Sequence, residues 1–239
     1  MPCNKNKIMK KLVVLTGAGM SAESGISTFR DSGGLWEKHR VQDVATPDGW
    51  NRNPSLVLDF YNMLRKQLQT AKPNAGHLAL AELEKDFEVC IITQNVDNLH
   101  EQAGSSQVLH LHGELMKVRS TSPGQEIFDL TAEKYETHLD DKCPKGYQLR
   151  PHIVWFGEAV PEIENAIHLT EHADIFVVIG TSMQVYPAAS LINYVKTGSP
   201  IYLIDPQEVN HLSKQVTVIQ KGASEGMIEL KRILTLQTA

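Results

Sequence analysis

Six short apolar runs, each bounded by Gly, Pro, Asn or Asp, constrain this chain more than any other feature. They are LVVL (12–15), VCIIT (89–93), VLHL (108–111), IFVVIG (175–180), PIYLID (200–205) and VTVI (216–219). Their apolar residues are mostly continuous and do not alternate with polar ones, which predicts strands covered on both faces. Between several of them lie stretches with helical spacing. Leu78, Leu80, Ala81 and Leu83 precede the second run, Ile163, Ala166 and Ile167 the fourth, and Leu191, Ile192 and Val195 the fifth. Met227, Leu230, Ile233 and Leu234 form a last stripe behind Ser224, a candidate N-cap. Buried strands alternating with amphipathic helices predict an α/β fold built on a doubly wound parallel sheet.

Two regions break the alternation. Residues 20–73 begin as a Gly/Ser-rich loop and continue into a predicted helix around 56–68. Residues 114–153 are polar and charged, with a weak helical patch at Glu133, Lys134, Tyr135 and Leu139. Both are insertions between core strands. They predict a small lobe from about 20–73 and 114–153 beside a large lobe of about 8–19, 74–113 and 154–239, with a cleft for a ligand between them.

Composition removes whole classes of function. At 239 residues with 41% hydrophobic content and a net charge of −5, the chain can bury a sizeable core and is not a disordered polymer. Lys+Arg 23 against Asp+Glu 28 leaves no basic surplus for nucleic acid. Cys3, Cys90 and Cys143 are odd in number and scattered, which points to a reducing compartment. Lysines precede LVVL, but that run is shorter than the ~7–15 apolar residues of a secretory leader. No stretch approaches the ~18–20 apolar residues of a membrane span. A cytoplasmic protein without a membrane partner is the expectation.

The chemistry gathers where strands end. The first strand runs into GAGMSAESGISTFRDSGG (17–34). Gly17, Ala18 and Gly19 suit a tight turn whose amides could approach phosphates, or a plain structural turn; Ser21, Ser24, Ser27, Thr28 and Arg30 add hydroxyls and a charge. TQNVDNLH (93–100) places Gln94, Asn95 and Asp97 at a strand's carboxyl end, as partners of an amide-bearing ligand or as helix caps. HLHGEL (110–115) puts two histidines on one strand face, readable as a general base, a structural histidine or half a metal site. In GTSMQVYPAA (180–189), Gly180, Thr181 and Ser182 are expected to open a helix as a second phosphate cradle. Asp205 could take ribose hydroxyls or start the Asp205-Pro206 turn.

Together, GAGMSAESGISTFR, TQNVDNLH, LHGEL, RPHIVWFGE and GTSMQVYPAA, in this order, resemble the sirtuin family of NAD-dependent protein deacylases over about residues 12–223. GGLWEKHRVQDVATP (33–47) and FYNMLRKQ (60–67) look closest to its class III, bacterial-type branch. The resemblance implies a Rossmann-like sheet with a smaller inserted lobe. It implies that Gly17, Ala18, Gly19, Ser21, Phe29 and Arg30 belong to the NAD loop, and that Gln94, Asn95 and Asp97 hold nicotinamide and its ribose. His112 is then the catalytic base with Asn95 as its catalytic companion, and His110 is a structural neighbour. Gly180, Thr181, Ser182 and Asp205 fall to the phosphates and ribose, and Gly222 and Ala223 to the adenine. Val154, Phe156, Gly157 and Glu158 line an acyl-lysine tunnel and pair with the substrate backbone as an added strand, with Tyr61 and Arg65 near the acyl group. The implied partners are acylated-lysine proteins or peptides, and the implied products are nicotinamide and O-acyl-ADP-ribose. Mono-ADP-ribosyl transfer, NAD hydrolysis and low-turnover NAD or acyl-lysine sensing are the competing readings.

Three departures qualify the resemblance. Most sirtuins bind zinc through two C-x-x-C pairs, but VRSTSPG (118–124) and KCPKGYQLRP (142–151) place Ser120 where a first cysteine is expected and Gly146 where the last is. Only Cys143 remains, so no structural zinc is expected. Class III members follow a Tyr with an Arg three residues later to hold a carboxyl-bearing acyl group. Here Leu64 follows Tyr61 at that spacing and Arg65 is turned by about 100° on a helix, which predicts a weakened anchor and good handling of neutral acyl groups. Asp205 stands where an Asn is common, and Ser27 replaces a common Pro.

Overall fold

The computed structural model describes residues 9–26, 39–207 and 215–238. Its strands are β1 (Lys11–Thr16), β2 (Glu88–Thr93), β3 (Val108–His110), β4 (Gly113–Ser120), β5 (Ile127–Asp129), β6 (Leu149–Ile153), β7 (Ile175–Ile179), β8 (Ile201–Ile204) and β9 (Thr217–Ile219). The helices are α1 (Gly19–Ala22), α2 (Val41–Val44), α3 (Pro47–Arg52), α4 (Pro54–Leu68), α5 (Ala75–Leu83), α6 (Leu99–Gln102), α7 (Ile163–Glu171) and α8 (Ala223–Thr238).

The apolar runs pair as a parallel sheet in the order β3-β2-β1-β7-β8-β9. Successive side chains on a strand point to opposite faces. Leu12 and Val14 of β1 therefore join Leu80 and Leu83 of α5 and Met227 and Leu230 of α8. Val13 and Leu15 join Ala166 of α7 and Leu191 and Ile192 on the other face. Helices cover both faces, which is why the strands are apolar at nearly every position. The strand order reverses between β1 and β7, and in such sheets ligands bind beyond the carboxyl ends at that switch.

A second, antiparallel sheet in the order β5-β4-β6 stands beside the first. Helices α2, α3 and α4 pack against it through Val44, Phe60, Tyr61, Leu115 and Trp155. The Thr46 and Asn53 side chains cap α3 and α4 by accepting the Gly49 and Leu56 amides, each with a proline as the first helical residue. The chain crosses from β3 to β4 at Gly113, whose φ of +82° favours glycine. A side chain there would also run into the His152 carbonyl.

Local signals misled in three places. The patch at Glu133–Leu139 is not a helix; it is bends and extended chain, fastened where the Thr137 amide donates to Asn62 Oδ1 at 3.0 Å. The stretch with Leu191 and Ile192 is a 3₁₀ helix, Ala188–Tyr194. Ser224 does not cap α8; it lies inside the helix, and its amide donates to Glu23 Oε1 at 3.1 Å.

Where zinc ligands would fall by resemblance, the Ser120 hydroxyl donates to Cys143 Sγ at 3.2 Å, and Gly146 has no side chain. One thiol does not make the four-ligand set of a structural zinc site. Among the described residues no three His, Cys, Asp or Glu gather as a metal site, and no helix is long and apolar enough to cross a membrane.

Candidate active site

The site begins with two loops packed backbone to backbone at the β1–β7 switch. The Gly17 amide donates to the Ile179 carbonyl at 3.0 Å and the Gly19 amide to the Gly180 carbonyl at 2.9 Å. A Cβ on Gly17 would sit 2.7 Å from Thr181 Cβ, and one on Gly19 would sit 2.7 Å from Gly180 Cα. The glycines are thus required by this close approach. The expected phosphate cradle is corrected to that extent, because the Gly17 and Gly19 amides already serve protein carbonyls. Ala18 lies between them, half-buried. Gly180 has φ +62° and opens no helix, contrary to expectation; Thr181 and Ser182 lie in a loop that precedes the 3₁₀ helix.

Around this contact the predicted polar residues converge. The buried Ser21 hydroxyl donates to Asp97 Oδ2 at 2.9 Å and accepts from Asn95 Nδ2 at 3.1 Å. Asn95 Nδ2 also reaches the Gly17 carbonyl at 3.0 Å, and Asp97 Oδ1 accepts the Leu99 amide at 3.1 Å. Burial pushes the Asp97 carboxyl up, opposed by the Leu99 and Ser21 bonds. Gln94 Nε2 donates to Thr181 Oγ1 at 3.2 Å, joining the β2 and β7 loops.

The two histidines differ in kind. His112 Nδ1 lies 3.1 Å from the Gln94 carbonyl, which can only accept, so Nδ1 carries the hydrogen and Nε2 presents a lone pair. Burial lowers the pKa of this half-buried ring, opposed by the Gln94 bond, and keeps it neutral at pH 7. His110 has two acceptors, the Asn95 carbonyl at 3.2 Å from Nδ1 and Glu101 Oε1 at 2.8 Å from Nε2. Burial opposes its charge, but the Glu101 pair outweighs burial and raises its pKa.

The expected acyl-lysine segment meets His112 directly, since the Val154 amide donates to the His112 carbonyl at 2.9 Å. The Phe156 amide donates to the Ala45 carbonyl at 3.0 Å, and its ring is exposed beside Gly157, which has φ +92°. Glu158 does not point its carboxylate outward. It is clamped by Arg119 at 3.1 Å, Arg150 at 2.8 Å and the Trp155 amide at 2.8 Å. Tyr61 is buried and its hydroxyl accepts from Trp155 Nε1 at 3.0 Å. Arg65 is fully buried. Its Nε donates to the Leu115 carbonyl at 2.8 Å, and its Nη1 donates to Asn62 Oδ1 at 2.9 Å and Thr137 Oγ1 at 3.3 Å.

Among the remaining residues, Ala223 places its side chain in the apolar core, so only its backbone and that of Gly222 can face a ligand. Asp205 Oδ1 accepts the Gln207 amide at 2.8 Å, the turn alternative weighed for it. Phe29 and Arg30 lie outside the described residues. Sequence reasoning gave no role to Trp155, Arg119, Arg150 or Glu101. The opposite charges of Arg150 and Glu158, flanking an apolar segment, were the one available signal.

Residues 17–187 match the Sir2 family. The chain is 62% identical over 230 residues to an NAD-dependent protein deacylase of Bacteroides thetaiotaomicron, covering 95% of this chain and 98% of the relative. It is 54% identical over 223 residues to a like-named protein of Helicobacter pylori, covering 93% and 96%. Among solved structures, a Sir2 homolog–NAD complex superposes with a TM-score of 0.85 at 42% identity, covering 97% of this chain and 92% of the other. A Sir2 mutant with a deacetylated p53 peptide and 3'-O-acetyl ADP ribose gives 0.77 at 29% identity, covering 95% and 94%. Sheet order, converging loops and matched length agree: this chain belongs to the Sir2 family.

Proposed function

We propose that this protein removes acyl groups from protein lysines with NAD as co-substrate, releasing nicotinamide and O-acyl-ADP-ribose. The observation that carries the reading is His112. It is a neutral imidazole with its hydrogen held on Nδ1 by the Gln94 carbonyl, its other nitrogen able to accept a proton, and its own carbonyl bonded to the expected substrate segment. NAD, when bound, supplies the ribose carbon that exchanges nicotinamide for the acyl oxygen, and the hydroxyl that receives the acyl group. The donor set suits such a ligand. Ser21, Gln94, Asn95 and Asp97 hold the amide end and its ribose. Ala18, Gly19, Gly180, Thr181, Ser182 and Asp205 line the phosphate and ribose path, with the Gly222 and Ala223 backbone at the adenine. His112 takes the ribose hydroxyl proton at Nε2. Val154, Phe156 and Gly157 add the substrate peptide as a strand, on a segment that Glu158 holds in shape.

Leu64 stands where the resemblance expects a carboxylate-anchoring Arg, and Arg65 spends Nε and Nη1 on protein partners with only Nη2 left over, which supports a preference for neutral acyl groups over carboxyl-bearing ones. A cytoplasmic, zinc-free protein whose cleft lies between lobes at the sequence boundaries above completes the reading. Mass spectrometry of an acetyl-lysine peptide with NAD tests it, with lysine, nicotinamide and O-acetyl-ADP-ribose expected in equal amounts. His112→Ala should bind NAD yet lose about 10²–10⁴-fold in turnover; undiminished turnover refutes the role of base. Matched acetyl and succinyl peptides compared by kcat/KM decide the acyl class, and a strong succinyl preference overturns it. Because the His112 pKa is lowered, activity should persist below the ordinary histidine value and fall only as pH drops through the lowered one.

A further inference from the structure

Behind Asn95 runs a buried polar string that meets the proposed ligand positions at Asn95 alone. It starts at α5, where the Asn74 amide lies 3.3 Å from His77 Nδ1. An amide can only donate, so this neutral ring carries its hydrogen on Nε2. At the other end, the Thr16 hydroxyl donates to Thr93 Oγ1 at 2.8 Å, and Thr93 Oγ1 also accepts the Asn95 amide at 3.1 Å. The hydrogen of Thr16 is thereby taken. With the hydroxyl pair in that direction, the 3.1 Å contact with His100 Nε2 is filled by the ring's own N–H, which leaves a lone pair on His100 Nδ1. His77 Nε2 and His100 Nδ1 are both buried with no partner among the described residues, on rings whose centroids are 4.8 Å apart. The two rings touch as a tilted pair, 58° between planes, with no hydrogen bond between them. From His100 to Thr93 the hydrogens then point one way.

We infer that His100 is a positioning residue for Asn95: giving its Nε2 hydrogen to Thr16, it directs the Thr16 and Thr93 hydroxyls so that the Asn95 backbone, and with it the side-chain amide, is held in place. The consequence for turnover rests on the role proposed for Asn95; the string itself does not.

Two measurements on the full chain separate these. Long-range ¹H–¹⁵N NMR at neutral pH should find both His77 and His100 neutral and protonated at Nε2. A hydrogen on His100 Nδ1, or a charged ring, overturns the inference even if the protein has no activity. The second measurement compares His100→Gln, whose side-chain amide can replace the Nε2 donor, with His100→Leu and the near-isosteric Thr16→Val, which cannot pass the bond on. His100→Leu and Thr16→Val should each shift the Asn95 amide resonance and slow nicotinamide release about tenfold with little change in KM for the acyl peptide, the double variant losing no more than either alone. His100→Gln should restore most of both readouts. Equal losses in the Gln and Leu variants, or losses that multiply, defeat it. If the wild-type chain releases no nicotinamide, the functional reading fails while the tautomers and the Asn95 resonance still decide the string.

Discussion

The six-stranded sheet carries an apolar cluster on each face, whereas the three-stranded sheet rests on one cluster and a set of directed polar contacts. In the first, Val13, Phe176, Val178 and Leu203 are wholly buried among other apolar side chains. In the second, α4 is tied to β4 through Arg65 and the Leu115 carbonyl, and to the 131–139 segment through Asn62 and Thr137. The crossing from β6 toward α7 is held by Arg119 and Arg150 on Glu158, with the Arg150 guanidinium 3.4 Å above the Trp155 ring. The tip is closed by Ser120 on Cys143, by Ser122 on Glu126 at 2.6 Å, and by the Lys145–Glu126 ion pair. Non-directional burial tolerates many sequences of the right volume. Directed bonds need particular atoms in particular places, as Ser120 and Cys143 illustrate.

The contrast can be broken most forcefully in the large sheet. Phe176→Ala should cost about 3–5 kcal/mol and lower the denaturant midpoint of the whole chain; a loss confined to β4–β6 would contradict a shared core. Arg65→Leu should cost about 2–3 kcal/mol, because the Leu115 carbonyl and Asn62 lose a charged donor. Hydrogen exchange should then rise in β4, β5 and β6 while the amides of β1 and β7 stay protected. A uniform rise would mean that the small lobe is no separate unit. Ser120→Ala should cost about 1 kcal/mol, and a chelator should leave wild-type stability and activity unchanged; a chelator-sensitive melt would restore zinc to the account.

The smallest effect concerns β3, the edge strand of the six-stranded sheet. The folded His110 pKa is raised, so its pair with Glu101 contributes in full below the unfolded histidine value, about 6.5. That contribution is lost as pH rises through the raised folded value. Glu101→Gln should flatten stability against pH in that window, and an unchanged slope would mean that the pair is idle.

The same contrast explains how much could be read from the sequence. Continuous apolar runs revealed the parallel strands because two-sided burial imposes composition at each position. Ser21, Gln94, Asn95, Asp97 and His112 could be placed because strands of such a sheet end at one edge. The 133–139 segment was read as a helix because local spacing cannot show that Thr137 is fastened to Asn62, which lies 75 positions away. Arg65 can be singled out from its place beside Tyr61 and Leu64, but its carbonyl and amide partners lie on separate elements that no local pattern reveals. Gly17 and Gly19 looked like a phosphate turn for the same reason: their constraint comes from Gly180 and Thr181.

His112 lies in the two-residue link between β3, which ends at His110, and β4, which begins at Gly113, and its carbonyl receives the Val154 amide just where the chain returns after β6. Outgoing and incoming crossings thus both seize the peptide that bears the imidazole. Any tilt of the small sheet is geared straight into the bearing of that ring, with no slack length of backbone to absorb it.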